Sequence, residues 1–311
     1  MERIQIALEK ARAKRAEHRT APGAAAQPVA AQPAAAPVPP TAAPAAAPAV
    51  NGKTAASATP IPLPSSQGPS PKVLENWMAL PEFSPFPAVL TRNRILGYAG
   101  GREAGPIDMM RTRILQELRR NGWRRMAVTS PNAGCGKTTT CANLAFSLAR
   151  QPNQRTILVD LDMRRPGLAR LMGLKTPQSI GSVIAGFEPP AKHLLRYGRN
   201  MAFGTNAGPA RNPAELLQGA EAGPALAQIE ADYEPTVMIF DMPPMQMCDD
   251  MLAFAPHVDC VLVLAAAEST TMDDLDRCER ELAGVTNVLG VVLNKCRYSD
   301  PGYGYGYDQT Y

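Results

Sequence analysis

The sequence predicts an α/β fold, a single domain with a mostly parallel sheet flanked by helices, and three observations carry that expectation. After residue 74, six short apolar runs alternate with stretches that read as helix, the pattern of strands buried on both faces by crossover helices. A glycine-rich junction follows the first run and opens a helix, where a parallel sheet delivers its ligand-facing turns. The third observation is length. The 311 residues include 31 prolines, many of them ahead of the alternating region, which leaves about 220 residues for one core.

Taken in order, Met1 to Thr20 is dense in helix formers and sets Ile4, Leu8 and Ala11 on one face, with Lys10, Arg12, Lys14, Arg15 and Arg19 following. Residues 1–20 are therefore expected to form a short basic amphipathic helix, read either as a docking peptide for a partner or anionic membrane surface or as a solvated end. Residues 21 to 70 hold 12 Pro, 18 Ala, one charge (Lys53) and no aromatic. Such a composition cannot bury enough apolar surface to order itself, so residues 21–74 are expected to be a disordered linker, reaching at most about 150 Å over fifty residues. The folded domain is placed at 75–297. It opens with a proline-punctuated approach from Trp77 to Gly105, and Ile107, Met110, Ile114, Leu115 and Leu118 then mark a helix with an arginine-rich opposite face. Strands are expected at Met126–Thr129, Thr156–Asp160, Met201–Gly204, Val237–Asp241, Cys260–Leu264 and Val288–Leu293.

The sharpest local signal is Thr129-Ser-Pro-Asn-Ala-Gly-Cys-Gly-Lys-Thr-Thr-Thr140, set between an apolar strand and the helical CANLAFSLAR. Glycines let the backbone approach an anion, and the amides from Gly134 through Cys135, Gly136 and Thr138 to Thr139 can cradle phosphates at a helix N-terminus. Lys137 can reach the terminal phosphates, and the Thr138 hydroxyl can ligate Mg²⁺. This is a P-loop reading, with one departure: Pro131 stands where the first glycine of G-x-x-x-x-G-K-T belongs.

The second strand ends in Asp160-Leu-Asp162 and a later one in Asp241-Met-Pro-Pro244. A parallel strand delivers such residues to the ligand crevice, where carboxylates can hold hydrated Mg²⁺ and one can accept the proton of an attacking hydroxyl. Capping the next helix is the competing role for any one of them. Asn294 ends the last strand. It is read as a nucleotide contact or as a turn residue, and Asn294-Lys-Cys-Arg297 lacks the aspartate of a guanine reader.

Asp160-Leu-Asp-Met-Arg-Arg-Pro166 closely resembles the second acidic motif of the bacterial tyrosine kinases (BY-kinases), a family within the Min/Par-like P-loop ATPases. The likeness runs from Met110 to Lys295 and includes Gly208-Pro-Ala-Arg-Asn-Pro-Ala-Glu-Leu-Leu217 and Gly290-Val-Val-Leu-Asn-Lys295. Min and Par proteins carry an extra lysine early in the loop, and Asn132 holds that position here. The resemblance implies an ATP- and Mg²⁺-dependent protein-tyrosine autokinase of capsule or exopolysaccharide biosynthesis. Lys137, Asp160, Asp162 and Asp241 would be its catalytic groups, Thr138 and the three aspartates its metal ligands, and Asn294 would lie where the family holds adenine. It implies self-association as a ring or smaller homo-oligomer, a membrane chain-length-regulator (polysaccharide co-polymerase) protein as activator, a cognate tyrosine phosphatase, and a cytoplasmic chain bound peripherally at the inner face of the plasma membrane. The family's Glu-x-x-Arg-x-x-Arg subunit-contact helix corresponds to Gly105-Pro-Ile-Asp-Met-Met-Arg111, where only Arg111 matches.

Five of the eight tyrosines, Tyr298, Tyr303, Tyr305, Tyr307 and Tyr311, fall in the last 14 residues among Gly, Pro, Asp and Ser. Residues 298–311 are expected to be a flexible tail. Family members end in such a cluster, which makes these tyrosines the expected phosphoacceptors, in trans. Thirteen residues at about 3.3 Å each reach roughly 43 Å, enough for cis or trans transfer. Two rival readings stand beside the kinase: a Min/Par-type ATPase cycling on a surface, and a nucleotide-binding scaffold with little turnover. The remaining composition excludes other classes. A formal charge of +4 implies no nucleic-acid partner, the apolar runs are too short to span a bilayer, and six cysteines without a CxxC pair indicate neither a disulfide framework nor a zinc site.

Overall fold

The computed structural model describes residues 68–175 and 177–296. The expected N-terminal helix at 1–20, most of the linker and the tyrosine cluster at 298–311 lie outside the described residues. Within them a seven-stranded sheet runs in the order β3-β4-β2-β5-β1-β6-β7. The strands are β1 (Arg125–Thr129), β2 (Thr156–Asp160), β3 (Leu194–Tyr197), β4 (Met201–Gly204), β5 (Val237–Asp241), β6 (Cys260–Ala266) and β7 (Asn287–Asn294). All neighbours pair in parallel except β3, which runs antiparallel to β4 at the edge. Sequence reading misses β3 because its four residues, Leu-Leu-Arg-Tyr, carry no period long enough to tell a strand from a turn.

Alternating side chains divide the core in two. Met126 and Val128 of β1 and Leu158 of β2 face one layer, built with α2 (Pro87–Arg92), α3 (Gly105–Asn121), α4 (Lys137–Ala149) and α5 (Leu168–Met172). Ala127, Ile157, Val159, Met238 and Phe240 face the other, with α1 (Pro71–Ala79), α6 (Ile180–Ile184), α7 (Pro213–Gln218), α8 (Ala222–Tyr233), α9 (Asp250–Phe254) and α10 (Met272–Ala283). Because β1, β2, β5 and β6 are buried on both faces, they read as continuous apolar runs, which is why the sequence located them so closely.

The domain begins earlier than the expected boundary at residue 75. Ser70 caps α1, its hydroxyl accepting from the Val73 amide at 3.3 Å, and Pro71 occupies the first turn, where its missing N–H costs nothing. Val73 and Trp77 on this helix are buried. The Trp77 indole donates to the Tyr233 carbonyl of α8 at 2.8 Å, and the two rings meet edge-on at 5.8 Å. The tail of the expected linker, 71–74, is thus the first turn of a packed helix. Trp77→Ala removes a large side chain from a site with no exposure, so it is expected to lower unfolding free energy by about 3–5 kcal/mol, read as a shifted urea midpoint with an unchanged slope.

Candidate functional site

The ends of β1, β2, β5 and β7 converge on one edge of the sheet. After β1 the chain turns through Ser130–Gly136 into α4, and the turn needs its glycines: Gly134 and Gly136 have φ of 77° and 89°, values that L side chains rarely adopt. A Cβ on Gly136 would also come within 2.5 Å of Asn294 Nδ2. No side chain caps α4. Its first amides therefore remain available to an anion, with the positive end of the helix dipole behind them. Lys137 is nearly buried beneath the loop and donates from Nζ to Ser130 Oγ at 3.2 Å.

Asp160 and Asp241 are opposite one another in the β2–β5 register, and neither has any exposed surface. Asp160 Oδ2 accepts from the amides of Gly167 and Leu168 at 3.1 and 3.0 Å. One oxygen of this side chain thus performs the helix-capping task weighed against metal binding. Asp241 is approached by the Thr138 hydroxyl, and its Oδ1 takes a weak contact from Cys141 Sγ at 3.8 Å. Asp160 Oδ1 and Asp241 Oδ2 are both buried without a hydrogen-bond partner, an arrangement that costs free energy unless something fills it. Burial raises both carboxyls above the ordinary carboxylate range. The neighbouring Asp241 raises Asp160 further, while Thr138 and Lys137 pull Asp241 back down.

These residues fit a hydrated divalent cation. Among the described residues no three His, Cys, Asp or Glu side chains gather into a metal cage. Mg²⁺ does not require one, since it is commonly held by one or two carboxylates, a hydroxyl, water and substrate phosphates. Two orphaned carboxylate oxygens beside Thr138 supply that donor set.

Above them opens a cleft of about 660 Å³. One wall is the phosphate loop, with Gly134, Gly136, Lys137, Thr138 and Thr139. Asp162 lies in the cleft, and its Oδ1 accepts from the Arg165 amide at 3.1 Å. Burial raises its carboxyl, with that amide and Lys137 opposing. The far wall is Arg164, Arg165, Pro243, Pro244, Met247 and Cys248, and Lys295 completes the lining. Arg164 forks onto the buried Asp250 at 2.7 to 3.2 Å, tying the loop after β2 to the start of α9.

Several expected residues therefore meet in one place, with differences in role. Cys135 contributes backbone only: its side chain is buried and its Sγ lies 3.2 Å from the Asn132 carbonyl. Asn294 does not line the cleft. Its Nδ2 donates to the Cys135 carbonyl at 2.8 Å and its Oδ1 accepts from the Lys295 amide, so its amide braces the phosphate loop. Asn132, at the position of the extra lysine in Min and Par proteins, donates to Asp274 of α10 at 3.2 Å. Hydrogen bonds from Gln246 and Thr271 hold the Asp274 carboxyl down to about 2. Arg111 also has partners within the chain, its Nη1 bonding Asp108 at 3.2 Å and Ser147 Oγ at 3.0 Å, an internal α3–α4 brace. Of the far wall, Arg164 and Arg165 lie inside the acidic motif and Pro243 and Pro244 inside Asp241-Met-Pro-Pro244, whereas Met247 carried no signal in the sequence. The five tail tyrosines lie outside the described residues, and the last described residues, Lys295 and Cys296, follow β7 at the rim.

Residues 126–302 match the family described as the CobQ/CobB/MinD/ParA nucleotide binding domain. Among curated proteins, the chain is 31% identical over 208 residues to the tyrosine-protein kinase ptk of Acinetobacter johnsonii, covering 62% of this chain and 26% of that one. It is 28% identical over 184 residues to the tyrosine-protein kinase CpsD of Streptococcus pneumoniae, covering 58% of this chain and 79% of the other. The chain spans about a quarter of the length of the first such relatives. Among solved structures, the kinase domain of the Escherichia coli tyrosine kinase ETK superposes with a TM-score of 0.59 at 20% identity, over 78% of this chain and 92% of that one, a likeness of fold. Among the described residues no helix is long and apolar enough to cross a membrane.

Proposed function

Because the chain belongs to the CobQ/CobB/MinD/ParA nucleotide-binding family, we propose that this site binds ATP and transfers its terminal phosphoryl group to tyrosines of the C-terminal cluster. The observation that carries the choice of acceptor is the path of the chain. Lys295 lines the cleft, and Tyr298 and the four tyrosines after it follow within 16 residues. A surface-cycling ATPase has no use for such a segment.

Each residue then has a task. Amides of the loop and of the first turn of α4 hold the phosphates, and Lys137 offsets the charge that builds on the transferred group. Mg²⁺, held by Thr138 with Asp160 and Asp241, would supply charge neutralisation at the bridging phosphate oxygens. Asp162 Oδ1 is occupied by the Arg165 amide, which leaves Oδ2 to take the tyrosyl proton as the new O–P bond forms and the bond to the ADP oxygen breaks. Its burial suits this task, since it raises the carboxyl's proton affinity, and a base is most effective when its proton affinity is matched to the working pH.

The same reading extends to regulation of exopolysaccharide or capsule export, with transfer in trans within a homo-oligomer, activation by a membrane chain-length regulator, reversal by a tyrosine phosphatase and peripheral attachment at the plasma membrane. It rests on the resemblance of the motifs and on the tyrosine-protein kinases among the relatives. Incubation of the full chain with Mg²⁺ and γ-labelled ATP is expected to place label on tyrosines of residues 298–311. A chain ending at Arg297 is expected to bind nucleotide but take no label. Release of free phosphate without labelled protein would identify an ATPase, and binding without turnover a nucleotide-dependent scaffold.

A further inference from the structure

Asp274 completes a capping box at the start of α10. The Thr271 hydroxyl accepts from the Asp274 amide at 3.1 Å, and the carboxylate accepts from the Thr271 amide at 3.2 Å and from its hydroxyl at 2.7 Å. Those bonds by themselves satisfy the beginning of the helix. The same carboxylate takes two more donors from elsewhere. Gln246 Nε2, in the loop after β5, reaches Oδ1 at 2.7 Å, and Asn132 Nδ2, in the phosphate loop, reaches Oδ2 at 3.2 Å. Four donors fill what a carboxylate can accept, and they come from three segments far apart in sequence. Neither Asn132 nor any of residues 271–275 lines the cleft, so this junction lies outside the space for nucleotide.

Asn132 is also where the phosphate loop is tied together. Its carbonyl accepts from Ser130 Oγ at 2.6 Å and from Cys135 Sγ at 3.2 Å. That Ser130 hydroxyl in turn accepts from Lys137 Nζ at 3.2 Å, and the Cys135 carbonyl accepts from Asn294. The loop after β5 runs alongside, its Met245 and Gln246 amides donating to the Ser130 and Pro131 carbonyls at 2.9 and 3.1 Å. Resting on the nucleotide-binding half of the proposed function and not on the choice of acceptor, we propose that Asp274 is a positioning residue for the phosphate loop. It fixes the side chain of Asn132, and the Asn132 carbonyl then holds Ser130, and with it the Lys137 ammonium, where phosphate is met. A link of this kind acts in both directions. Bound nucleotide steadies the loop, and through Asn132 it steadies the first turn of α10, which lies outside the cleft.

The test titrates the full chain with a fluorescent, non-hydrolysable ATP analogue and Mg²⁺, a readout that needs no turnover. Asp274→Ala and Asn132→Ala are each expected to weaken binding by about three- to tenfold, and the double variant by no more than the weaker-binding single one. Thr271→Ala removes the helix cap but leaves the carboxylate with Asn132 and Gln246. It should lower the melting temperature, as Asp274→Ala does, and keep nucleotide affinity within about twofold of the parent. Hydrogen exchange supplies a second readout. The Asp274 and Leu275 amides bond to the Thr271 hydroxyl and carbonyl; saturating nucleotide should slow their exchange by at least about threefold in the parent and leave it unchanged in Asn132→Ala. Parent-like affinity in Asp274→Ala, an equal loss in Thr271→Ala, or exchange in α10 that ignores nucleotide overturns the proposal while the nucleotide site stands. A parent chain that binds no nucleotide overturns the nucleotide reading, and this proposal with it.

Discussion

Lys137→Met is expected to lower phosphotyrosine formation by at least about 10²- to 10³-fold, while the melting temperature stays within a few degrees of the parent. The two expectations follow from one environment. Lys137 is almost fully buried, at 7% exposure, and its ammonium makes one hydrogen bond, to Ser130 Oγ. Methionine matches the length and volume of the stem, so no cavity opens. Ser130 is not stranded either, because its hydroxyl donates to the Asn132 carbonyl at 2.6 Å. What disappears is a fixed positive charge in a site poor in water, where it does most to stabilise charge that develops during transfer. A second effect has a definite sign. Lys137 lowers the carboxyls of Asp162 and Asp241, so without it both bind protons more readily and any residual activity should lose its acid limb at higher pH. Anti-phosphotyrosine detection across pH 6 to 9, beside a thermal melt, checks all three. A variant that melts normally and labels at the parent rate would remove Lys137 from the mechanism.

The sequence made the strands and the phosphate loop readable because their signals are local. An apolar run buried on both faces and a glycine turn before a helix each declare themselves within a dozen residues. The pairing of Asp160 with Asp241 is not local. β5 inserts between β1 and β2, and only that strand order sets two carboxylates 81 positions apart side by side. Asn294 shows the opposite difficulty: its position at the end of β7 was legible, but the donation of its amide to the Cys135 carbonyl depends on the register of β6 with β7, which contains a bulge between Val261 and Leu262. Arg111 matched a subunit-contact pattern in sequence, yet Asp108, Ser147 and Arg150 converge on one another around it, a cluster invisible until α3 packs on α4. Met247 carried no signal at all, since an exposed methionine gains meaning only from what its loop faces.

Asp241→Asn is expected to raise the stability of the protein without metal or nucleotide and to abolish transfer. In the free protein the Asp241 carboxyl is buried beside Asp160, and its proton affinity is raised above the ordinary 3.8, with burial the largest cause. Between the unfolded and folded values the native state therefore binds more protons than the unfolded chain, so stability falls as pH rises through that window. Above the folded value the whole penalty is present. Asparagine carries no charge, and at pH 8 in EDTA it should stabilise the chain by on the order of 1–3 kcal/mol, seen as a higher melting temperature. At pH 5 most of the difference should vanish, because the parent carboxyl is then largely protonated. Saturating Mg²⁺ and ATP should reverse the order, since a cation supplies the charge for which Asp160 Oδ1 and Asp241 Oδ2 lack a partner and binds the carboxylate form alone. Apparent Mg²⁺ affinity of the parent should accordingly weaken as pH drops from 8 to 6. A variant less stable than the parent at pH 8 in EDTA, or one that still gains the parent's stabilisation from Mg²⁺ and ATP, would mean that this buried pair is satisfied within the fold and is not built around a cation.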